Sequence, residues 1–464
     1  MKLREQIRHN PMNQLYDEAR LPQAIRRSLN FILLGNIFGS VCGIICGGGT
    51  TAMVGLATEL GANDIHFGIL TAIPQIAALL QLPYSVLVNR THKRKKYMLT
   101  LGVFSRALWM LFGLIPFLMP MASKLLQLWT IIFLLGVISC TGAVINVCWF
   151  PWLSDLAPIR MRGRWLSIRE SFLAVANVAF GLLVAYLLDH LPPHNKYVII
   201  FLLGGITGML DMFSFGFCEE IYSAPPQKQN LFGAFSTVLH NKPFMKLVIM
   251  WTAWCFTANL SDVYMIPYSM NEMGLTNTQI TVFFTIVPAL VAIFVMPRWG
   301  RMLDRFGCRN VMTVACVAAS VSPLFFLLAT PGSIWPSLLR NLLGAMFWCG
   351  ANLTANNMQL SCSPDDTRPT HIAVFACVTA LLGATLGSLA GGALLDSWAA
   401  SGAFSLGWFD RYKALFALAV ALRLGSTLIL VPKLPRDSDA SPKDLVYYML
   451  HTITHPFSRM RSAK

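Results

Sequence analysis

The chain has 464 residues, of which 55 % are hydrophobic and only 12 % charged, and its net charge is +15. A soluble domain is about 25 % charged, whereas the roughly 255 apolar residues here match the about 240 that twelve bilayer-spanning helices of about 20 residues need. Soluble enzymes, nucleic-acid binders and disordered scaffolds are excluded, and the composition predicts a polytopic, all-α integral membrane protein.

Residues 1–27 are polar and charged, which predicts a cytoplasmic N-terminal tail without a cleavable signal peptide. Apolar runs then stand at 29–57, 66–88, 97–120, 126–152, 165–188 and 197–217, predicting a six-helix bundle over 28–218. The first run is interrupted by Gly47-Gly48-Gly49, a triplet that can bend its helix. A polar stretch, 219–243, holds Glu219, Glu220, Pro225, Pro226 and Lys228 and predicts a cytoplasmic linker. Six further runs, at 244–268, 278–298, 310–330, 335–360, 371–397 and 412–431, predict a second bundle over 244–431. The eleventh run carries Gly383, Gly387 and Gly391, a small-residue stripe that admits a close neighbour. In the tail, 432–464, Ser441-Pro442-Lys443-Asp444 is a helix start. Val446, Met449, Leu450 and Ile453 follow on one face, predicting an amphipathic helix on the cytoplasmic leaflet.

Loop charge sets the orientation. Arg90, Lys93, Arg94, Lys95 and Lys96 follow the second helix, Arg160, Arg162 and Arg164 the fourth, and Arg298, Arg301, Arg305 and Arg309 the eighth. The intervening loops hold only Lys124, Lys196, Arg411 and Lys413, so both tails are expected on the cytoplasmic side. The eleven cysteines are scattered through apolar runs with no metal-ligand spacing, and read as small buried hydrophobes.

Two loop signatures recur in the same order in the two halves. Ser85-x-x-x-Asn89-Arg90-x-x-x-Arg94 follows the second helix, and Gly300-x-x-x-Asp304-Arg305-x-Gly307-x-Arg309 follows the eighth. Pro158-x-x-x-Arg162 follows the fourth helix and Pro364-x-x-x-Arg368 the tenth. The next helices end in Leu187-Leu188-Asp189 and Leu394-Leu395-Asp396. Residues 300–309 resemble the cytoplasmic loop motif of the major facilitator superfamily, G-x-x-x-D-R-x-G-x-R, and the first-half copy is a degenerate version in which Asn89 replaces the acid. The resemblance spans roughly 28–431. It implies two pseudo-symmetric six-helix bundles and a solute site between them near the midplane. It also implies a cytoplasmic latch built from the loop motif, with Gly300 permitting close helix approach and Asp304 facing a helix N-terminus. Arg90, Arg94, Arg162, Arg305, Gly307, Arg309 and Arg368 complete the expected gate, with Asp155 as an acid for Arg90 or Arg94 and Glu170 one turn inside the membrane.

Polar side chains on the expected cavity helices are the candidate solute ligands: Gln75, Asn177, Trp254, Asn259, Arg340, Trp348, Asn352 and Asn356. Amides and indoles suit a neutral or zwitterionic solute, and Asn352 and Asn356 share a face below Trp348. Ser139 and Thr141 belong to the same class. Arg106, Asp211 and Arg423 fall on helices that in the superfamily support the cavity from outside, and are expected as buried structural pairs or as side chains reaching to the cytoplasmic surface rather than as ligands. No nucleophile–base grouping, phosphate loop, metal cluster or cofactor motif is present, so no enzymatic activity is expected. The sequence therefore reads as a monomeric permease of the cytoplasmic membrane, facilitative or coupled to protons or another ion, contacting lipid and a small organic solute. Glu170 is the candidate proton carrier. Import and export stay open, although Asn177-Val178-Ala179-Phe180-Gly181-Leu182 lacks the Gly-Pro-rich motif of many drug antiporters. The rival reading is a transport-inactive sensor or assembly factor that keeps the fold.

Overall fold

The first apolar run does not form one helix. In the computed structural model α1 (Gln23–Ile45) stops before the glycine triplet and α2 (Thr51–Glu59) restarts after it. Thr50 makes the restart: its hydroxyl donates to Ile45 O at 2.8 Å and accepts the amide of Met53. The structure describes residues 21–81, 83–84, 94–156, 159–192, 195–220, 238–364, 368–404, 408–438 and 440–454. At 94, 150, 151, 153–155, 159–164, 166, 167, 368, 369 and 450–454 it describes the backbone alone.

The chain continues through α3 (Asp64–Ala78), α4 (Arg94–Leu118), α5 (Lys124–Leu156), α6 (Ile159–His190) and α7 (Lys196–Gly216). After the linker come α8 (Lys242–Asp262), α9 (Met265–Asn271) and α10 (Asn277–Thr281), which passes through a π-helical turn, Val282–Ile286, into α11 (Val287–Phe306). Then follow α12 (Cys308–Val321), α13 (Trp335–Ser361) and α14 (Arg368–Val378), which a second π-helical turn, Thr379–Thr385, joins to α15 (Leu386–Ser401). The last elements are α16 (Arg411–Leu430) and α17 (Pro442–Thr454). Among the described residues nine helices are long and apolar enough to cross a membrane. The shorter α3 and the more polar α8 and α13 stand where the sequence places the second, seventh and tenth crossings, so the count is consistent with twelve. The protein is an all-helical, multi-pass membrane protein.

The described residues form two units. The first comprises the chain to Gln229 together with Thr276–Thr281; the second comprises Asn230–Leu275 and Val282 onward. In the first unit Leu29, Met98, Cys148, Trp152, Trp165 and Phe215 form a buried cluster. In the second, Trp254, Trp299, Phe244 and Met312 do the same.

Lipid tails are as apolar as leucine, so helices in a bilayer associate through close packing rather than expulsion of water. The stripe on the eleventh crossing shows how close. A methyl at Gly387 would lie 2.4 Å from Phe256 O, and one at Gly391 2.3 Å from Leu260 O, so the backbone of α8 lies directly against that helix. Tyr264 locks the contact by donating its hydroxyl to Ser388 O. Gly387→Ala is therefore expected to destabilise the detergent-solubilised protein by about 1–3 kcal/mol. Gly425→Ala, where a methyl meets nothing within 4 Å, should leave the melting temperature unchanged.

Candidate functional site

A cavity of about 310 Å³ opens within the first unit. The break between α1 and α2 supplies Cys46, Gly47 and Gly48; α4 supplies Ser105, Arg106 and Trp109; α5 supplies Ser139, Gly142 and Asn146. The spacings i, i+1, i+4 and i, i+3, i+7 put each set on one helix face. Pro74, Ala78 and Gln81 form the wall from the second crossing. Gln75 is one residue round from that face and is exposed, so it does not line this cavity. Gln81, Ser105, Ser139 and Asn146 make no hydrogen bond among the described residues. Arg106 Nη2 lies 4.0 Å from Asp211 Oδ2, and its buried Nε has no partner. The expected pair of Arg106 and Asp211 is thus present, but Arg106 also reaches the cavity, which periodicity could not reveal. Asn177 is half-buried, again without a hydrogen bond among the described residues.

In the second unit Trp254 is fully buried between Trp251 and Trp348, with ring centroids at 6.5 and 5.7 Å and interplanar angles of 26° and 30°. Its indole N–H has no partner. Trp348, Asn352 and Asn356 follow one another at four-residue steps on α13. Asn352 is half-buried and Asn356 exposed, and neither makes a hydrogen bond among the described residues. Two other candidates are otherwise engaged. Asn259 donates to Cys255 O of its own helix at 2.9 Å. Arg340 donates to Asp262 Oδ1 at 3.1 Å, an oxygen that also accepts Arg423 Nη2 at 2.6 Å. Arg423 is further bonded to Ala258 O and Ser261 Oγ, which makes this trio a tie between α8, α13 and α16. A larger groove of about 750 Å³, bordered by Ile249, Leu382 and Ile429, is apolar and suits acyl chains rather than a hydrogen-bonding solute.

The loop motif after the eighth crossing departs from expectation. Asp304 is exposed and has no hydrogen bond or ion pair among the described residues, and a methyl at Gly300 would meet nothing within 4 Å. The acid at the start of α12 is Asp437, whose carboxylate accepts the amides of Cys308 and Arg309. Four amides at a helix start lack intrahelical partners, and a carboxylate there also meets the positive end of the helix dipole. Gly307 has φ +79° and ψ 161°, a conformation open essentially to glycine alone. A methyl there would lie 2.7 Å from both Asp437 and Ser438.

The tail is consequently fixed to the second unit. Asn310 donates to Ala440 O at 2.7 Å, and Arg305 lies over the rings of Tyr448 and Phe306 at 4.7 and 5.3 Å. In α17 Leu445 is fully buried and Met449 packs against the core, while Val446 and Tyr447 are exposed. The expected apolar face is split, and the side chains of Leu450 and Ile453 lie outside the described residues. Ser441 and Asp444 cap each other reciprocally, and the amide and hydroxyl of Ser441 hold the Asp444 carboxyl below the usual carboxylate range.

Glu170 is exposed and accepts a hydrogen bond from Arg169, which also donates to Asn36 Oδ1 at 2.6 Å and lies over the Trp149 ring at 4.9 Å. Arg90 lies outside the described residues, as do the side chains of Arg94, Asp155, Arg162 and Arg368. Asp189, which the sequence marks only as part of a repeated helix end, accepts four hydrogen bonds of 2.7–2.9 Å. They come from the amides of Asn277 and Thr278, the Asn277 side-chain amide and the Thr278 hydroxyl.

The sequence model of the Major Facilitator Superfamily matches residues 33–381. Among solved structures, the fold is similar to that of a mutant of the nucleoside transporter NupG (TM-score 0.65, 12 % identity, 88 % of this chain and 100 % of that chain). It is similar to a D-xylose–proton symporter (0.64, 12 %, 90 % and 100 %). It is also similar to a POT family transporter in complex with 5-aminolevulinic acid (0.65, 14 %, 88 % and 97 %). No curated protein matches the sequence.

Removing either capping charge should lower stability. Asp437→Asn and Asp189→Asn are each expected to cost about 1 kcal/mol. Gly307→Ala, which adds strain of about 1–3 kcal/mol to the loss of the cap, should lower the melting temperature furthest of the three.

Proposed function

This chain belongs to the Major Facilitator Superfamily, and from that premise we propose that it carries a small organic solute across the cytoplasmic membrane by alternating access, with both termini inside. The observation that supports this most is the first unit's cavity. Four hydrogen-bonding side chains that lack partners among the described residues converge on about 310 Å³ within a bilayer-embedded bundle. Such groups need water or a solute, and a solute must be able to shed them again, so neutral donors and acceptors suit a carrier.

In this reading the second unit carries hydrogen-bonding groups of its own, Asn352 and Asn356, with Trp348 as a stacking surface on the same helix face and Trp254 packed against it. Asn177 belongs to the same class. Arg340 and Asn259, engaged within the protein, hold the scaffold. Transport is facilitated or driven by an ion gradient, and Glu170, exposed beside Arg169, is the side chain placed for proton exchange.

Alternating access requires at least two states whose populations differ by a modest free energy. Asp304, without a partner among the described residues, and the engaged Asp437 then have separable roles. In this reading the Asp304 carboxylate acts in another state of the cycle. Asp304→Asn is expected to slow transport without changing the melting temperature, whereas Asp437→Asn lowers the melting temperature.

The test is counterflow in proteoliposomes with nucleosides, pentoses and amino acids as labelled solutes. Exchange of at least one solute is expected, and it should fall about tenfold in Asn352→Ala/Asn356→Ala, the loss of roughly 1.4 kcal/mol of hydrogen bonding. Absence of exchange by folded protein for all three classes and for labelled succinate would leave the sensor reading in place of transport.

A further inference from the structure

We propose that the cavity in the first unit is a binding site for a small organic carboxylate, anchored by Arg106. The inference extends the transport reading by naming a solute class, but rests on the geometry around one guanidinium. Arg106 lines the cavity, and its nearest acid, Asp211, stays 4.0 Å away. Asp211 packs on its other side against a neighbouring helix. Its carboxylate is pressed against α1, where a methyl at Gly39 would lie 2.7 Å from Oδ2 and one at Gly35 3.2 Å from Oδ1. Arg106 is held just as firmly from the other side, since a methyl at Gly208 would lie 2.5 Å from its Cδ. The two charges face each other at 4.0 Å, too long for a hydrogen bond. Asp211 orients the guanidinium and offsets part of its charge, but does not satisfy its donors.

A guanidinium in low-dielectric surroundings with unused donors favours an anionic acceptor, and its planar fork matches a carboxylate. The cavity is the side from which such an acceptor can come. Ser105 is next to Arg106 on α4, and Ser139 and Asn146 face the same space from α5, with Gln81 opposite. These neutral groups suit the hydroxyl, amino or second carboxyl group of the solute. Trp109 closes one wall. It is held by Phe112 and Phe201 at centroid distances of 4.5 and 6.2 Å, so it offers a rigid apolar surface to a short carbon skeleton. The volume equals about ten waters, room for a dicarboxylate or an amino acid and too little for a nucleotide.

The prediction is read by charge-selective labelling at a cysteine placed in the cavity. In Ser139→Cys protein in detergent, modification at position 139 is followed by peptide mass spectrometry with two methanethiosulfonates of similar size, one bearing a sulfonate and one a trimethylammonium group. The sulfonate reagent is expected to react at least fivefold faster. The preference should persist in Arg106→Lys and disappear in Arg106→Gln. Because Arg106→Gln leaves Asp211 buried without its cation, Arg106→Gln/Asp211→Asn is run beside it to keep the charge balance, and should also lose the preference. Succinate should slow labelling and succinamide should not. Equal rates for the two reagents, a preference that survives in the double variant, or protection by inorganic phosphate but not by succinate would each overturn the assignment. These rates report occupancy and charge in one unit and require no transport. Their failure leaves counterflow untouched, and a failure of counterflow leaves them readable.

Discussion

Hydrocarbon offers a polar side chain nothing to bond to, so each must find its partner in the protein or in water that the protein encloses. Most hydroxyls on these helices comply locally by donating to the carbonyl one turn back, as Ser28 does to Ala24, Thr257 to Ala253, Ser320 to Cys316 and Thr354 to Gly350. Such residues are polar in name and silent in function. The exceptions in the first unit, Gln81, Ser105, Ser139 and Asn146, converge on one cavity. In the second, Asn352 and Asn356 share a face with Trp348, while Thr252, Ser269, Thr385 and Thr427 are buried hydroxyls without a partner among the described residues.

Charges obey the same rule more severely, because an unpaired ion in a bilayer costs several kcal/mol. Asp262 answers it by accepting two arginines, and Arg423 by donating to four residues of the α8 end. Asp211 and Arg106 answer it only in part, at 4.0 Å, each packed against glycines of a neighbouring helix. Arg340 in the second unit and Arg106 in the first both leave a buried Nε without a partner among the described residues, but only the second unit's charges are joined by hydrogen bonds.

Helices and superfamily were legible in the sequence because hydropathy and the decapeptide at 300–309 are local signals. The broken first crossing was legible as a glycine triplet, though not as two separately capped helices. The finer contacts were not legible, for a physical reason. Arg106 reads as a support because its place on the chain says which helix it occupies and not which way the helix is turned. Gln75 reads as a cavity residue although the wall is built one residue away, from Pro74, Ala78 and Gln81. Asp304 is the acid of the motif, yet the acid at the helix start is Asp437, and no periodic pattern links the two. A scan for acids near loop glycines could have marked Asp437 only if the fold of the tail were already known.

That carboxylate lies 129 residues beyond the amide it accepts. The ribosome has thus delivered α12, α13 and every later crossing before the beginning of α12 can be closed. The strap that closes the start of α12 is therefore among the last parts of the unit to be made, and a tag or partner domain joined directly behind α16 in its place would leave that helix start without its carboxylate.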